Sequence, residues 1–182
     1  MYSSPMKDKR NGDFLVADVE VNECFTELYK SSEQNITLKV GPWGGNGQNF
    51  DIISDSQLIT LVCVKSGDVV DYLEVSYSVG VNSVKSYPAG SNGGDSTKEI
   101  PLGQGEYINS ISGSVINNYN GQTCITQLGF KTNRGNEYGP FGNNKGSVGT
   151  GFNIPFVDGR IVGFFGVSGK YINAIGVYAA PN

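Results

Sequence analysis

The chain has no histidine, which removes the side chain most often used as a general base and as a zinc ligand. Cysteine is scarce. Cys24, Cys63 and Cys124 are odd in number and far apart, a pattern that fits neither a disulfide framework nor a thiolate metal site. Two of them lie inside the apolar runs LITLVCVK and TCITQLGF, where a reduced thiol in a core is expected. Charge is sparse too, at 16% of residues, with 17 carboxylates against 13 Lys and Arg and a net charge of −4. A chain without a basic excess is poorly suited to nucleic acid or to anionic membranes, both of which demand clustered cations. No apolar run approaches the roughly 20 residues of a membrane helix. The opening residues, MYSSPMKDKRNGDF, have no apolar segment of the kind that marks a secretory signal. Together with free thiols this gives the cytoplasm as the expected location, and leaves Asn35-Ile36-Thr37 as a chance glycosylation triplet. There is no G-x-S-x-G, no phosphate-binding glycine loop and no metal set, so neither an enzyme nor a cofactor is expected.

What the chain has in quantity is glycine, 26 residues of 182, alternating with runs rich in Val, Ile, Tyr and Phe. Short β-branched runs between glycine turns predict an all-β protein, and no long stretch has helical period. Residues 1–35 stand apart as an N-terminal extension, with FLVADVEV as a candidate strand. From residue 36 to 182 the pattern is regular and reads as one domain. QLITLVCVKSG and DVVDYLEVSYSV flank the turn Ser66-Gly67-Asp68. EYINSISGSVIN and TCITQLGFKTN flank Asn118-Tyr119-Asn120-Gly121. IVGFFGV and YINAIGVY flank Ser168-Gly169-Lys170.

These hairpins repeat. DYLEVSY, TQLGFKT and NAIGVYA align so that Leu73 and Val75, Leu128 and Phe130, and Ile175 and Val177 face one core. Gly41-Pro42-Trp43-Gly44 and Gly139-Pro140-Phe141-Gly142 open two glycine loops, and Ser91 to Asp95 forms a third that keeps only the glycines. Three copies of a unit that cannot bury its own face imply packing around a shared axis.

The wording KVGPWGGNG, SGDVVD, LGFKTN, YGPFGN and IVGFFG–SGKY–AIGVY, in that order, resembles the mannose-binding branch of the jacalin-related plant lectins. The resemblance implies a β-prism of three four-stranded Greek-key sheets with pseudo-threefold symmetry. It also implies metal-independent binding of mannose- or glucose-type hexoses of glycans and glycoproteins, and assembly as a homodimer. In that family a G-x-x-x-D hairpin tip beside a glycine loop holds the sugar. A carboxylate accepts from neighbouring hydroxyls while backbone N–H groups donate, and glycine lets the backbone come close.

Gly67-Asp68-Val69-Val70-Asp71 has the whole pattern, with Asp71 as acceptor and either Gly94 or Asp95 as the loop contact. Gly169-Lys170-Tyr171-Ile172-Asn173 has an amide in place of the carboxylate. Its loop, Gly44 to Gln48, ends in Gln48 rather than glycine, leaving Gly47, Gln48, Gly169, Lys170, Tyr171 and Asn173 as a weakened candidate site. The third tip places Thr126 at the acceptor position and is not expected to bind. A β-prism that serves as an assembly module, with sugar binding weakened or lost, is the alternative reading.

Overall fold

The computed structural model describes residues 37–182 except 144, 147 and 148. The 1–35 extension, with its candidate strand, lies outside the described residues. Twelve strands follow in chain order: β1 (Leu38–Gly44), β2 (Gln48–Ile53), β3 (Ile59–Ser66), β4 (Val70–Ser78), β5 (Val84–Gly90) and β6 (Ser96–Pro101) in the first half. The second half adds β7 (Ile108–Tyr119), β8 (Gln122–Thr132), β9 (Glu137–Gly142), β10 (Thr150–Pro155), β11 (Gly159–Ser168) and β12 (Ile172–Pro181). They make three antiparallel sheets ordered β1-β12-β11-β2, β5-β4-β3-β6 and β10-β7-β8-β9. The described residues contain no helix. The β-prism read from the sequence is the architecture found.

Each sheet is a long central hairpin, β3-β4, β7-β8 or β11-β12, flanked by two shorter strands. The first sheet draws its outer strands from the beginning of the described chain and its central hairpin from the end, so the last hairpin closes the prism. Alternation along the central strands sends one apolar face inward. Leu73, Val75, Leu128, Phe130, Ile175 and Val177 are all buried in a single core with Ile111, Ile125 and Phe164. Cys63 and Cys124 are free and buried, as their apolar surroundings predict.

Tyr77 is the largest fully buried side chain, and its hydroxyl donates to Val162 O at 3.0 Å and Ile52 O at 3.2 Å. It thereby ties β4 to strands of another sheet, and burial pushes its pKa upward. Tyr77→Phe removes the one hydroxyl proton that these two buried carbonyls share, and is expected to destabilise the domain by about 1–3 kcal/mol in urea unfolding.

Two segments differ from the sequence reading. Gly41-Pro42-Trp43-Gly44 and Gly139-Pro140-Phe141-Gly142 are strand, the ends of β1 and β9, not loop. Both strands lie at sheet edges, where proline's missing N–H costs no ladder bond. The middle copy is Tyr87-Pro88-Ala89-Gly90 on edge strand β5, so it keeps the proline and the final glycine as well. That final glycine has a threefold reason to exist. Gly44, Gly90 and Gly142 have φ of +134°, +86° and +94°. A Cβ at each would fall 2.1, 2.1 and 2.3 Å from the carbonyl oxygens of Asn173, Asp71 and Thr126.

Those three carbonyls belong to equivalent residues. In each central hairpin a register slip near the tip leaves one residue of the second strand unpaired. Asp71 is left unpaired between Tyr72 and Val70, Asn173 between Ala174 and Ile172, and Thr126 between Gln127 and Ile125. A bulge of this kind re-aims a side chain without ending the strand.

Candidate functional site

At the tip end of the prism each glycine loop reaches the hairpin tip of another sheet. The Ser91 hydroxyl donates to Lys170 O at 2.7 Å, and Asn143 N–H donates to Asp68 O at 3.2 Å. Gly45 lies against Thr123, where a Cβ would come within 2.5 Å. A small apolar cluster of Val69, Cys124 and Tyr171, flanked by Ile116 and Tyr119, seals this end. The ring of loops and tips is therefore braced by contacts between all three sheets.

The tip from Gly67 to Asp71 borders an open pocket of about 520 Å³. Gly67 N–H donates to Val69 O at 2.9 Å and closes the turn. Val70 is fully buried and does not reach the pocket, whereas Val69 and Asp71 line it. Asp71 is 8% exposed, and its carboxylate faces the glycine loop, where a Cβ on Gly93 would come within 2.7 Å of Oδ1. Gly94, at φ +87°, lines the pocket from above the Ser66 backbone. Gly93, not singled out over its neighbours by the sequence, is the residue facing the carboxylate. A repeat alignment anchored on Gly44 and Gly90 supplies the signal that finds it.

Burial raises the pKa of Asp71, Asp95 and Asp68 add to the rise, and Lys170 and the Gly67 amide oppose it. Asp68 behaves oppositely. Lys145 pairs with its Oδ2, Tyr119 OH donates to the same oxygen at 3.1 Å, and its pKa falls chiefly through the Lys145 contact. Nothing local in the sequence brings Tyr119 or Lys145 to this tip, since both come from another sheet's turn and loop.

The tip from Gly169 to Asn173 has the same turn, with Gly169 N–H donating to Tyr171 O at 3.0 Å. Its bulged residue is spoken for. Asn173 is 2% exposed, and its Nδ2 donates to Thr123 O at 2.9 Å and Gln122 Oε1 at 3.0 Å. Only Oδ1 turns to the groove between Gly47 and Gly169, where their Cβ atoms would lie 3.5 and 3.7 Å from it. Gln48 is exposed and begins β2 opposite Ser168. The side chains of Lys170 and Tyr171, grouped with Asn173 from sequence, line the Asp71 pocket instead.

Because Thr123 O can only accept, Asn173→Asp sets a carboxylate oxygen against a carbonyl. The expected outcome is a loss of about 1–3 kcal/mol at neutral pH. The carboxyl pKa of that variant rises on folding, so the deficit shrinks as pH falls; thermal melts of both proteins at pH 7 and pH 4 read it.

Thr126, at the third tip, is fully buried and bonded to the Ser114 hydroxyl at 2.6 Å, so it presents nothing outside. Trp43 stacks on Phe152 at 4.8 Å, joining the first sheet to the third, and Tyr138 and Phe141 pack on the core. Among the described residues no group of three or more Asp, Glu and Cys is placed to hold a metal.

The jacalin-like lectin domain profile matches residues 40–178. A mannose/glucose-specific lectin of Parkia platycephala is 35% identical over 147 residues, 79% of this chain and 32% of that protein. The chain thus spans about a third of that relative's length. Jacalin-related lectin 19 of Arabidopsis thaliana is 34% identical, over 82% of this chain and 84% of the relative. Among solved structures, wild-type Malaysian banana lectin aligns with a TM-score of 0.72 at 40% identity, covering 81% of this chain and all of that one.

Proposed function

This chain belongs to the jacalin-like lectin domain family, a non-enzymatic carbohydrate-binding class, and from that premise we propose that it binds mannose- and glucose-type hexoses of glycans through Asp71. One observation carries the reading. Among the three described central hairpins, the one tip with a complete Gly-to-Asp pattern presents its carboxylate to an open pocket opposite a glycine that leaves backbone room beside it. The carboxylate accepts two neighbouring hydroxyls, and amides of the Gly67 tip and the Gly93–Gly94 loop donate. Mannose and glucose differ at C2 alone, so a grip on the opposite edge of the ring takes either. Galactose, inverted at C4, is excluded. The Asn173 tip contributes little, because its amide hydrogens are held by Gln122 and Thr123.

No metal ion takes part, since the acceptor and donors are all side chain and backbone. Two such sites on a dimer would raise avidity for branched glycans. Calorimetric titration with the methyl α-glycosides of mannose, glucose and galactose, each with and without EDTA, tests the reading. Heat with the first two, none with the third and no effect of EDTA is the expected result. No heat with mannoside or glucoside overturns it.

Asp71 must be ionised to accept both hydroxyls. Its folded pKa lies above the ordinary carboxylate value of 3.8, so affinity is full near neutrality and falls as pH drops through that raised value. Stability has the opposite sign. A group whose pKa is raised on folding stabilises the fold most below its unfolded pKa, and that contribution is lost as pH rises through the folded one. Titrating mannoside affinity and melting temperature from pH 7 to 4 should show the first falling before unpaired surface carboxylates titrate.

A further inference from the structure

Among the described residues Asn46-Gly47, Asn92-Gly93 and Asn120-Gly121 are Asn-Gly pairs, all in the loops and turns of the tip end. The pair is chemically labile. The glycine nitrogen, with no side chain to hinder it, sits where it can attack the asparagine amide carbon and close a five-membered ring. We propose that Asn92-Gly93 is a self-modification site, where the Gly93 nitrogen converts Asn92 to aspartate and isoaspartate and the product loosens the loop's grip on its ligand. The loss of grip rests on the reading of Asp71 as the hexose acceptor; the chemistry at Asn92 does not.

The structure sets the three pairs apart. Gly121 N–H donates to Asn118 Oδ1 at 3.0 Å and Asn120 Nδ2 donates to Tyr171 OH at 3.2 Å, so nucleophile and leaving amide are both held. Asn92 is exposed, and among the described residues no acceptor takes the Gly93 N–H. Lys65 Nζ donates to Asn92 Oδ1, and the same ammonium lies 5.1 Å from the centre of the Tyr72 ring. A cation thus rests on the oxygen that becomes negative as Gly93 N adds to Cγ. Asn46 is exposed as well, but no described residue donates to its amide oxygen.

In the step itself, solvent takes the Gly93 amide proton and the nitrogen forms a bond to Cγ. The Cγ–Nδ2 bond breaks, and the amide leaves as ammonia with a proton from water. Water then opens the cyclic imide. Opening at Cγ gives aspartate, and opening at the main-chain carbonyl gives isoaspartate, whose backbone runs through Cβ and is longer by that one atom. The added atom falls between fixed points. Ser91 N–H bonds Asp71 O at 2.9 Å and its hydroxyl bonds Lys170 O at 2.7 Å, while Gly94 lies on Ser66, where a Cβ would come within 2.7 Å of the backbone nitrogen. Gly93, which faces Asp71 Oδ1 between those anchors, has to move.

The test incubates the full chain in mildly alkaline buffer, with and without saturating methyl α-mannoside. Peptide mass spectrometry, enzymatic labelling of isoaspartate and mannoside calorimetry follow it. Asn92 is expected to convert faster than Asn46 and about fivefold or more faster than Asn120, and Lys65→Met to slow Asn92 about threefold. Bound mannoside is expected to slow it as well, by occupying the Gly93 amide. Converted protein is expected to bind mannoside about tenfold or more weakly, while Asn92→Gln, which would have to close a larger ring, keeps its initial affinity through the same incubation. Asn92 left intact while Asn46 or Asn120 converts overturns the inference. So does an unchanged rate in Lys65→Met, or conversion that leaves mannoside affinity intact. No mannoside binding by fresh protein overturns the Asp71 reading and the functional half of this one, and mass and label still decide the chemistry at Asn92.

Discussion

Asp71→Asn is expected to weaken mannoside binding by about ten- to a hundredfold while leaving the domain as stable or slightly more so. The first half follows from hydrogen-bond chemistry. Bonds to a charged acceptor are worth about 1.5–3 kcal/mol against about 1 for neutral pairs, and the asparagine turns one acceptor atom into a donor. A difference of about 1.4–2.8 kcal/mol is the stated range in affinity. The second half follows from the electrostatics of the tip, where burial and the neighbouring Asp95 and Asp68 disfavour the ionised carboxyl. An amide relieves that. Loss of binding with an unchanged or raised melting temperature therefore separates a ligand residue from a structural one. A solvated turn aspartate would give neither effect.

Gly90→Ala should be the most damaging single-methyl substitution near the site. Its φ of +86° costs an L-residue about 1–2 kcal/mol, and its Cβ would lie 2.1 Å from Asp71 O, which cannot move without breaking the Ser91 N–H bond to the same atom. Added overpacking of about 1–3 kcal/mol brings the expected loss to about 2–5 kcal/mol. In a domain of this size that lowers the melting temperature on the order of 10 °C. Gly105→Ala is the control. It has φ of +72° but open space around it, so about 1–2 kcal/mol is expected, read by urea unfolding of both variants side by side.

Much of this architecture is legible in the sequence because the repeat is carried by residues that obey simple periodicity. Leu73, Val75, Leu128, Phe130, Ile175 and Val177 alternate, and alternation decides which face is buried. The edge strands were harder to read. Proline and glycine in Gly41-Pro42-Trp43-Gly44 signal a loop to any local rule, and only their place at a sheet edge makes them strand. The middle copy hid for a related reason, with Tyr87 and Ala89 standing where the other copies have glycine and an aromatic residue.

Local pattern names both candidate tips, and non-local contacts rank them. Whether Asn173 is available depends on Gln122 and Thr123, some 50 residues away in the chain. The partners of Asp68, Tyr119 and Lys145, are equally remote, and no spacing rule links them to Gly67-Asp68.

Backbone amide NMR during a methyl α-mannoside titration tests the central claim most directly. The account predicts saturable shifts centred on Gly67 to Asp71, Gly93 and Gly94, with small changes at Gly47 and Gly169. Shifts centred on Gly47, Gly169 and Asn173, with the Asp71 tip unmoved, would contradict it.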